Sequence, residues 1–459
     1  MTLIKSISGM RGTIGGHPGE NLTPVDIVEM AASFGQMIKK NNSHPSIVIG
    51  RDGRISGNMV SQLCIHTLVA QGFIVYDAGL STTPTIEMAV TKLGADAGII
   101  ITASHNPIQW NALKFLNEKG EFISAAQGQE LIRIAHEKQY LFNEIHNLGK
   151  IIPAAGLIEH HIDSILNLPL VNKNIVADKK FKVVVDCINS TGAISVAPLL
   201  EALGCEVILI NEEMTGNFAH NPEPLAQHLQ ELCERVISEK AEMGIAVDPD
   251  VDRLSFICED GSLLGEENTL VSVANYILQH TPGETVSNLS STRGLKDITL
   301  RYGMEYHAAT VGEVNVVEKM KEVNAIIGGE GNGGIIYPAL HYGRDALVGI
   351  ALMLTYMAEN NLSLTQIKAS LPQYFISKNK IDLQPGWNVT AAINGLIDKY
   401  SEEEINTSDG LKIDFAKGWV QLRQSNTEPI IRVYSESYDE ATANRLAEKI
   451  IGEFKELIG

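Results

Sequence analysis

Apolar residues recur along the first hundred positions in blocks of two alternating periods. Thr23-Pro24 followed by Asp26 is a helix start, with a capping hydroxyl, a first-turn proline and a first-turn acid, and Ile27, Met30, Ala31, Phe34 and Ile38 continue at helical spacing. Ser46-Ile-Val-Ile-Gly50 is a short apolar run that ends in the charged turn Arg51-Asp-Gly-Arg54; a second helical segment spans 59–71, and Phe73-Ile-Val-Tyr76 is another short run. Short apolar runs separated by amphipathic helices predict a mainly parallel sheet with helices on both faces. Near the other end the period changes. Lys412-Ile-Asp-Phe415, Trp419-Val-Gln-Leu422 and Ile430-Ile-Arg-Val-Tyr434 have period-two character, and 439–458 is an amphipathic helix, which predicts a small α+β unit.

A weak internal repeat extends the first pattern. Ala95-Asp-Ala-Gly-Ile-Ile-Ile-Thr102 aligns with Ala241-Glu-Met-Gly-Ile-Ala-Val-Asp248, Val183-Val-Val-Asp186 takes the part of the run at Ile47, and a more degenerate copy runs from Val286 to Ile327. Repeats this long are domains with their own sheets rather than solenoid units. With 459 residues, the chain divides into α/β domains at 1–150, 151–253 and 254–370 and an α+β domain at 371–459. The longest apolar stretch, Leu347 to Ala358, falls short of the ~20 residues a membrane helix needs and predicts a buried helix.

Charge then narrows the function. Thirty-six Lys and Arg against 55 Asp and Glu leave a net charge of −19, which opposes general binding to nucleic acid or an anionic membrane. An anionic ligand must therefore be held by local basic residues. Five scattered cysteines without a C-x-x-C pair indicate neither a disulfide framework nor a zinc ribbon, and the N-terminal segment lacks the apolar core of a signal peptide, so a cytoplasmic location is expected.

Four segments could carry chemistry. Thr102-Ala-Ser-His-Asn-Pro107 follows an apolar strand, where open α/β sheets bind ligands; no G-x-S-x-G elbow is present, and a plain polar turn is the competing reading. Asp248-Pro-Asp-Val-Asp-Arg253 offers three alternating carboxylates that can converge on one hard divalent cation. An EF-hand is excluded, because Arg253 stands at the sixth position, where that loop needs glycine, and the flanks are strands. Gly329-Glu-Gly-Asn-Gly-Gly334 satisfies G-x-G-x-x-G formally, but Ile335-Ile-Tyr-Pro338 cannot open the helix that a pyrophosphate requires. Glu330 and Asn332 suit sugar hydroxyls instead. Arg423-Gln-Ser-Asn-Thr-Glu-Pro-Ile-Ile-Arg432 brackets Ser425, Asn426 and Thr427 between two arginines, the donor set of a phosphate dianion.

In this order, and together with Gly9-Met-Arg-Gly12 and Gly50-Arg-Asp52, these segments resemble the α-D-phosphohexomutase family across nearly the whole chain. The resemblance implies four domains round a central cleft, three of them α/β with similar topology, and an isomerase that exchanges the 1- and 6-phosphates of a hexose. It implies Ser104 as the phosphorylated serine and one Mg²⁺ held by Asp248, Asp250, Asp252 and the Ser104 phosphate. A hexose 1,6-bisphosphate would be intermediate and activator. It also implies Lys114 as general base, its amine acidified by Mg²⁺ and Arg11; His105 as an orienting residue; Arg253 on the phosphoryl group; Glu330 and Asn332 on the sugar; and Arg423, Ser425, Asn426, Thr427 and Arg432 on the distal phosphate. Bacterial relatives often read Gly-Glu-x-Ser-Gly-His at the sugar loop, whereas this chain has Gly334 in place of the histidine, with His341 as the candidate substitute. The Glu-Gly-Asn-Gly-Gly form resembles archaeal-type phosphoglucosamine and phosphomanno/glucomutases, so phosphoglucosamine mutase leads and phosphomannomutase or phosphoglucomutase follows. An aspartate-nucleophile phosphatase and a non-catalytic sugar-phosphate sensor are the alternatives of other classes; the partners expected are sugar phosphates alone.

Overall fold

The computed structural model describes residues 2–6, 9–39, 44–384, 386–425 and 429–458. Four sheets follow one another along the chain. The first has the strand order Ile4–Ser6, Gly9–Thr13, Trp110–Leu116, Ala97–Ile101, Ser46–Arg51, Ile74–Leu80, Lys150–Pro153. The second runs Leu254–Cys258, Met243–Val247, Lys182–Asp186, Glu206–Ile210, and the third Tyr306–Ala309, Thr285–Asn288, Ile327–Glu330, Gly334–Ile336. The fourth is antiparallel throughout: Phe375–Asp382, Ile430–Ser437, Gly418–Gln424, Leu411–Phe415, Glu404–Asn406. The fold is thus three serial mixed α/β domains and a C-terminal α+β domain.

The first three sheets share one plan. In each, one strand, Ser46–Arg51, Lys182–Asp186 or Thr285–Asn288, pairs in parallel with the next two strands of its domain. The third parallel strand, Ala97–Ile101, Met243–Val247 or Ile327–Glu330, then turns back into an antiparallel neighbour. Ala97–Ile101 and Met243–Val247 are apolar throughout because helices or strands cover both their faces. The turn that follows the third strand carries Ser104 in the first domain, the three aspartates in the second and the glycine-rich loop in the third. One repeated turn therefore presents three of the four chemical segments.

The helix predicted at the N-terminus is Pro24–Lys39, and the apolar stretch is the helix Ala346–Asn360, buried on every side from Ala346 to Ala358. Asp345 caps it, Oδ1 accepting the N–H of Leu347 at 2.8 Å. Val183, Leu199, Tyr276, Leu347 and Leu354 all belong to one apolar core, so this helix joins the second and third domains. Each such large side chain removed from water contributes about 1.5–3 kcal/mol. The fourth domain docks on the third through polar ties: Arg293 Nη2 to Asp414 at 2.9 Å, Lys412 Nζ to the Leu289 carbonyl at 2.8 Å and Ser290 Oγ to Gln421 at 2.7 Å. No helix among the described residues is long and apolar enough to cross a membrane.

Two expected divisions move. Lys150–Pro153 completes the first sheet, and Leu254–Cys258 pairs with Met243–Val247, so divisions at 150 and 253 cut through a strand and through a hairpin. A shared core with no polar seam between the second and third domains leaves no compositional break at 253.

Candidate active site

The four domains enclose a cleft of about 840 Å³. Arg11, His105 and Lys114 line it from the first domain, Arg253 from the second, Glu330, Asn332 and Arg344 from the third, and Arg423, Ser425 and Arg432 from the fourth. Asn426 and Thr427 lie outside the described residues.

Ser104 is held in an unusual backbone state. Its φ is 49°, in the left-handed region that costs a side-chain-bearing residue roughly 1–2 kcal/mol. Its N–H donates to Thr102 Oγ1 at 2.8 Å, and Arg54 gathers the loop from below. The Arg54 guanidinium donates to the carbonyls of Ser104, Asn106 (2.6 Å), Pro107 (2.9 Å) and Trp110 (2.9 Å), while its Nε meets Asp52 at 3.1 Å. Asp52 also accepts from Thr102 Oγ1 at 2.6 Å. Burial pushes the Asp52 carboxyl up to about 6 even though Arg54 opposes the shift. Neither Arg54 nor Asp52 was given a role from sequence, although Asp52 ends Gly50-Arg-Asp52, one of the segments that carry the resemblance. The signal was present in Arg51-Asp-Gly-Arg54, charges placed directly after an apolar strand.

The loop aims Ser104 Oγ at Asp248, to which it donates at 2.5 Å; His105 Nδ1 is 3.3 Å away. Asp248, Asp250 and Asp252 are fully buried, and an oxygen of each lies within 4.8 Å of the others. Asp248 Oδ1 accepts the N–H groups of Asp252 and Arg253, both at 3.1 Å, which curls the loop around that carboxylate. Asp250 accepts from Thr83 Oγ1 and, at 2.9 Å, from Lys114; Asp252 accepts from Arg344 Nη2 at 2.6 Å. Burial and the two neighbouring acids push Asp248 well above the carboxylate range. Asp250 is also buried, but Lys114 and the Thr83 hydroxyl hold it below that range. Asp250 Oδ1 and Asp252 Oδ1 are buried without a hydrogen-bond partner, the arrangement that a hard divalent cation resolves.

Burial would lower the Lys114 ammonium, but the carboxylates of Asp250 and Asp252 raise it; burial first, and then the charge of Arg432, lower Arg11. His105 is held neutral, first by burial and then by Arg253 and Arg344.

At the sugar loop, Glu330 accepts from Asn288 Nδ2 at 2.8 Å, from the Gly312 N–H at 3.2 Å and from Arg344 Nη1 at 3.1 Å. Burial alone would raise its carboxyl; Arg344 and Asn288 bring it below the usual range. Asn332 Oδ1 accepts the Gly334 N–H at 3.2 Å, and a strand, not a helix, follows, as the rejection of a dinucleotide site required. Gly333 has φ 87°, and a Cβ there would lie 2.1 Å from the Leu254 carbonyl, so the loop packs directly on the hairpin that carries the aspartate trio. His341 does not fill the place open at Gly334. It lies between Glu87 and Asp345, 3.3 Å from each, away from the cleft.

Arg423 and Arg432 stand directly opposite each other on paired strands, and Arg432 is near enough to Arg11 to depress it. Arg11, Arg423 and Arg432 thus line one side of the cleft from two domains, a local concentration of positive charge in a chain of charge −19. Asp409 steadies Arg423 through Nε at 3.0 Å.

Ser104 hydrogen-bonded to a buried carboxylate trio, beneath a cleft that Glu330 and three arginines line, is a set of groups suited to a phosphorylated sugar. The four domain descriptions of phosphoglucomutase/phosphomannomutase match residues 3–141, 159–261 and 266–375 as the α/β/α domains I, II and III and 380–453 as the C-terminal domain. The chain belongs to this family, the α-D-phosphohexomutases, and is an isomerase. It is 32% identical to the phosphoglucosamine/phosphogalactosamine mutase of Sulfurisphaera tokodaii over 96% of this chain and 97% of that one. It is 33% identical to the phosphoglucomutase/phosphomannomutase of Thermococcus kodakarensis, covering 95% and 96%. Among solved structures, a phosphoglucomutase/phosphomannomutase family protein of Burkholderia thailandensis superposes with a TM-score of 0.84 at 25% identity, covering 99% of this chain and 97% of that one.

Proposed function

We propose that this phosphohexomutase interconverts hexose 6-phosphate and hexose 1-phosphate through a phosphoserine at Ser104, with glucosamine phosphate as its preferred sugar. The observation that carries the reading is Ser104 Oγ, turned by a strained loop onto the aspartate trio, just beneath His105, Lys114 and Arg253, which line the same cleft as Arg11, Arg423 and Arg432. Names of relatives that include phosphoglucosamine mutase, together with the Glu-Gly-Asn-Gly-Gly loop, support the choice of sugar.

In this reading a free sugar hydroxyl attacks the phosphorus on Ser104. The new O–P bond forms as the P–Oγ bond breaks, which yields a hexose 1,6-bisphosphate. The bisphosphate turns over in the cleft and returns its other phosphoryl group to Ser104 Oγ, so the enzyme is regenerated and the same bisphosphate can recharge it. Arg11, Arg423, Ser425 and Arg432 grip whichever phosphate is distal, with Asn426 and Thr427 as further donors; Glu330 and Asn332 hold the sugar hydroxyls. Asp248, Asp250 and Asp252 would hold Mg²⁺, which offsets charge on the transferring phosphoryl group when bound. Arg253, lining the cleft beside His105, contacts that group. Lys114 and His105 are the nitrogen bases flanking the reacting atoms, and pH–rate profiles of Lys114→Met and His105→Asn identify the proton acceptor by which variant loses the basic limb. Five free cysteines suit the cytoplasm.

Intact mass with peptide mapping, before and after glucose 1,6-bisphosphate, tests the mechanism through the ~80 Da one phosphate adds. Phosphate on the Ser104 peptide that is lost to hexose phosphate is the expected result. A Ser104 that cannot be charged in the presence of Mg²⁺ overturns it, in favour of an aspartyl phosphatase if Asp248 is labelled instead, or of a sugar-phosphate sensor if nothing is.

A further inference from the structure

Arg344 carries no motif, yet its guanidinium binds three carboxylates at the cleft. Its backbone is fixed on both sides: it bridges to Ile336 of the strand Gly334–Ile336, and the next residue caps the buried helix. From there the guanidinium reaches three carboxylates of different segments. Nη2 donates to Asp252 at 2.6 Å, Nη1 to Glu330 at 3.1 Å and Nε to Glu313 at 3.0 Å. One fork therefore links a metal-loop acid to the sugar-loop acid, which a point-charge lysine could not do.

Two features make the link more than a buried salt bridge. A Cβ built on Gly334 would stand 2.4 Å from Arg344 Cδ and 3.1 Å from its Cγ. The arginine stem thus occupies the room that a side chain at 334 would need, and glycine there is a condition of its placement. In addition, Asp252 is shared: Lys114 approaches the same oxygen at 3.5 Å, while Oδ1 has no partner. A divalent cation taking Oδ1 would share the charge of this carboxylate with the guanidinium on Oδ2, and in that sense competes with it.

We propose that Arg344 is a positioning residue that couples the aspartate trio to the sugar acid. It holds Asp252 and Glu330 in register, moderates cation affinity by competing for Asp252, and fills the space left open by Gly334. The assignment of Glu330 to the sugar rests on the phosphohexomutase reading; the competition for Asp252 does not.

Mn²⁺ titration followed by electron paramagnetic resonance, without substrate, is the first test. Removing a full positive charge this close to the trio should tighten Mn²⁺ binding of Arg344→Gln by about tenfold or more, while KM for hexose phosphates rises as Glu330 is released. Arg344→Lys should keep the Mn²⁺ affinity of the parent and still show the raised KM. Gly334→Ala, which displaces the stem, should shift Mn²⁺ affinity in the same direction as Arg344→Gln, and the double variant should show no further effect. Unchanged or weaker Mn²⁺ binding by folded Arg344→Gln overturns the proposal, as does a Gly334→Ala variant identical to the parent in both readouts. If Arg344→Gln does not fold, Arg344→Lys and Gly334→Ala decide alone. Failure of the mutase mechanism would appear as an unchargeable Ser104 and would leave the Mn²⁺ result standing.

Discussion

Arg54→Met removes the guanidinium that holds the serine loop while keeping most of the apolar stem. Arg54 is 1% exposed, so no water replaces what is lost. The substitution leaves Asp52 buried without its ion-pair partner and strips a donor from the carbonyls of Ser104, Asn106, Pro107 and Trp110. Breaking a buried pair on one side costs about 3–5 kcal/mol, and an orphaned carbonyl adds about 1 kcal/mol or more where it stays buried. A loss of at least about 4 kcal/mol is therefore expected, a large part of the 5–15 kcal/mol typical of a whole domain.

Turnover should fall separately from stability. The four carbonyl ties help to hold Ser104 in its left-handed backbone, and a reacting group displaced by about 1 Å can lose on the order of 100-fold in rate. Calorimetric melting and steady-state turnover at a temperature where the variant is folded read the two effects. Asp52→Asn in the Arg54→Met background should recover part of the stability, because it removes the uncompensated carboxylate, but should not recover the rate. An Arg54→Met protein within about 1 kcal/mol of the parent and equally active would refute the reasoning, and so would strict additivity of the two substitutions.

Three further outcomes follow from the geometry. Ser104→Gly should abolish phosphate labelling and lower turnover by several orders of magnitude while leaving stability equal or up to about 1 kcal/mol higher, because glycine accepts φ 49° without strain; a destabilised variant in thermal melts would show that the hydroxyl, not the backbone, holds the loop. Burial would lower the His341 imidazolium, but Asp345 and Glu87 outweigh it and raise the group to about 10. A base raised in the folded state lends stability that is complete below its ordinary value of about 6.5 and is lost as pH rises towards 10, so urea midpoints should fall over that window and His341→Gln should flatten the fall. Asn332→Ala should reorder turnover among glucosamine, glucose and mannose phosphates more than it changes labelling of Ser104, as product analysis would show; equal losses on all three sugars would remove its role in specificity.

What the chain reveals by itself is what is local. Helix Pro24–Lys39 is written in its cap and period, helix Ala346–Asn360 in an apolar run too short for a membrane, and each reactive loop in polar residues placed directly after an apolar strand. Arg344 is invisible for the opposite reason. It acts on Asp252, 92 positions away, and its meaning depends on the absence of a side chain at 334. The partner of Lys114 is hidden for the same cause, since it pairs with Asp250, 136 positions along the chain. The division at 253 was misplaced because Leu254–Cys258 reads as a buried strand wherever it pairs, and only the register shows that it returns alongside Met243–Val247.

The repeated fold also explains why strain sits where the chemistry does. In each α/β domain the chain must reverse between the third parallel strand and its antiparallel neighbour, and each reversal passes through a left-handed residue: Ser104 at φ 49°, Val251 at φ 61° and Gly333 at φ 87°. Glycine meets that requirement without cost only in the third domain. In the first two the conformation is imposed on a serine and on a β-branched valine, which adopt it rarely. Arg54 holds the first turn, the N–H groups accepted by Asp248 hold the second, and the Leu254 N–H, donated to the Gly333 carbonyl at 3.1 Å, joins the second to the third. A tight turn that points its side chains into the space between domains is a property of the shared topology. Three copies arranged round one cleft therefore bring Ser104, the aspartates and the glycine-rich loop together, and the C-terminal domain adds Arg423 and Arg432.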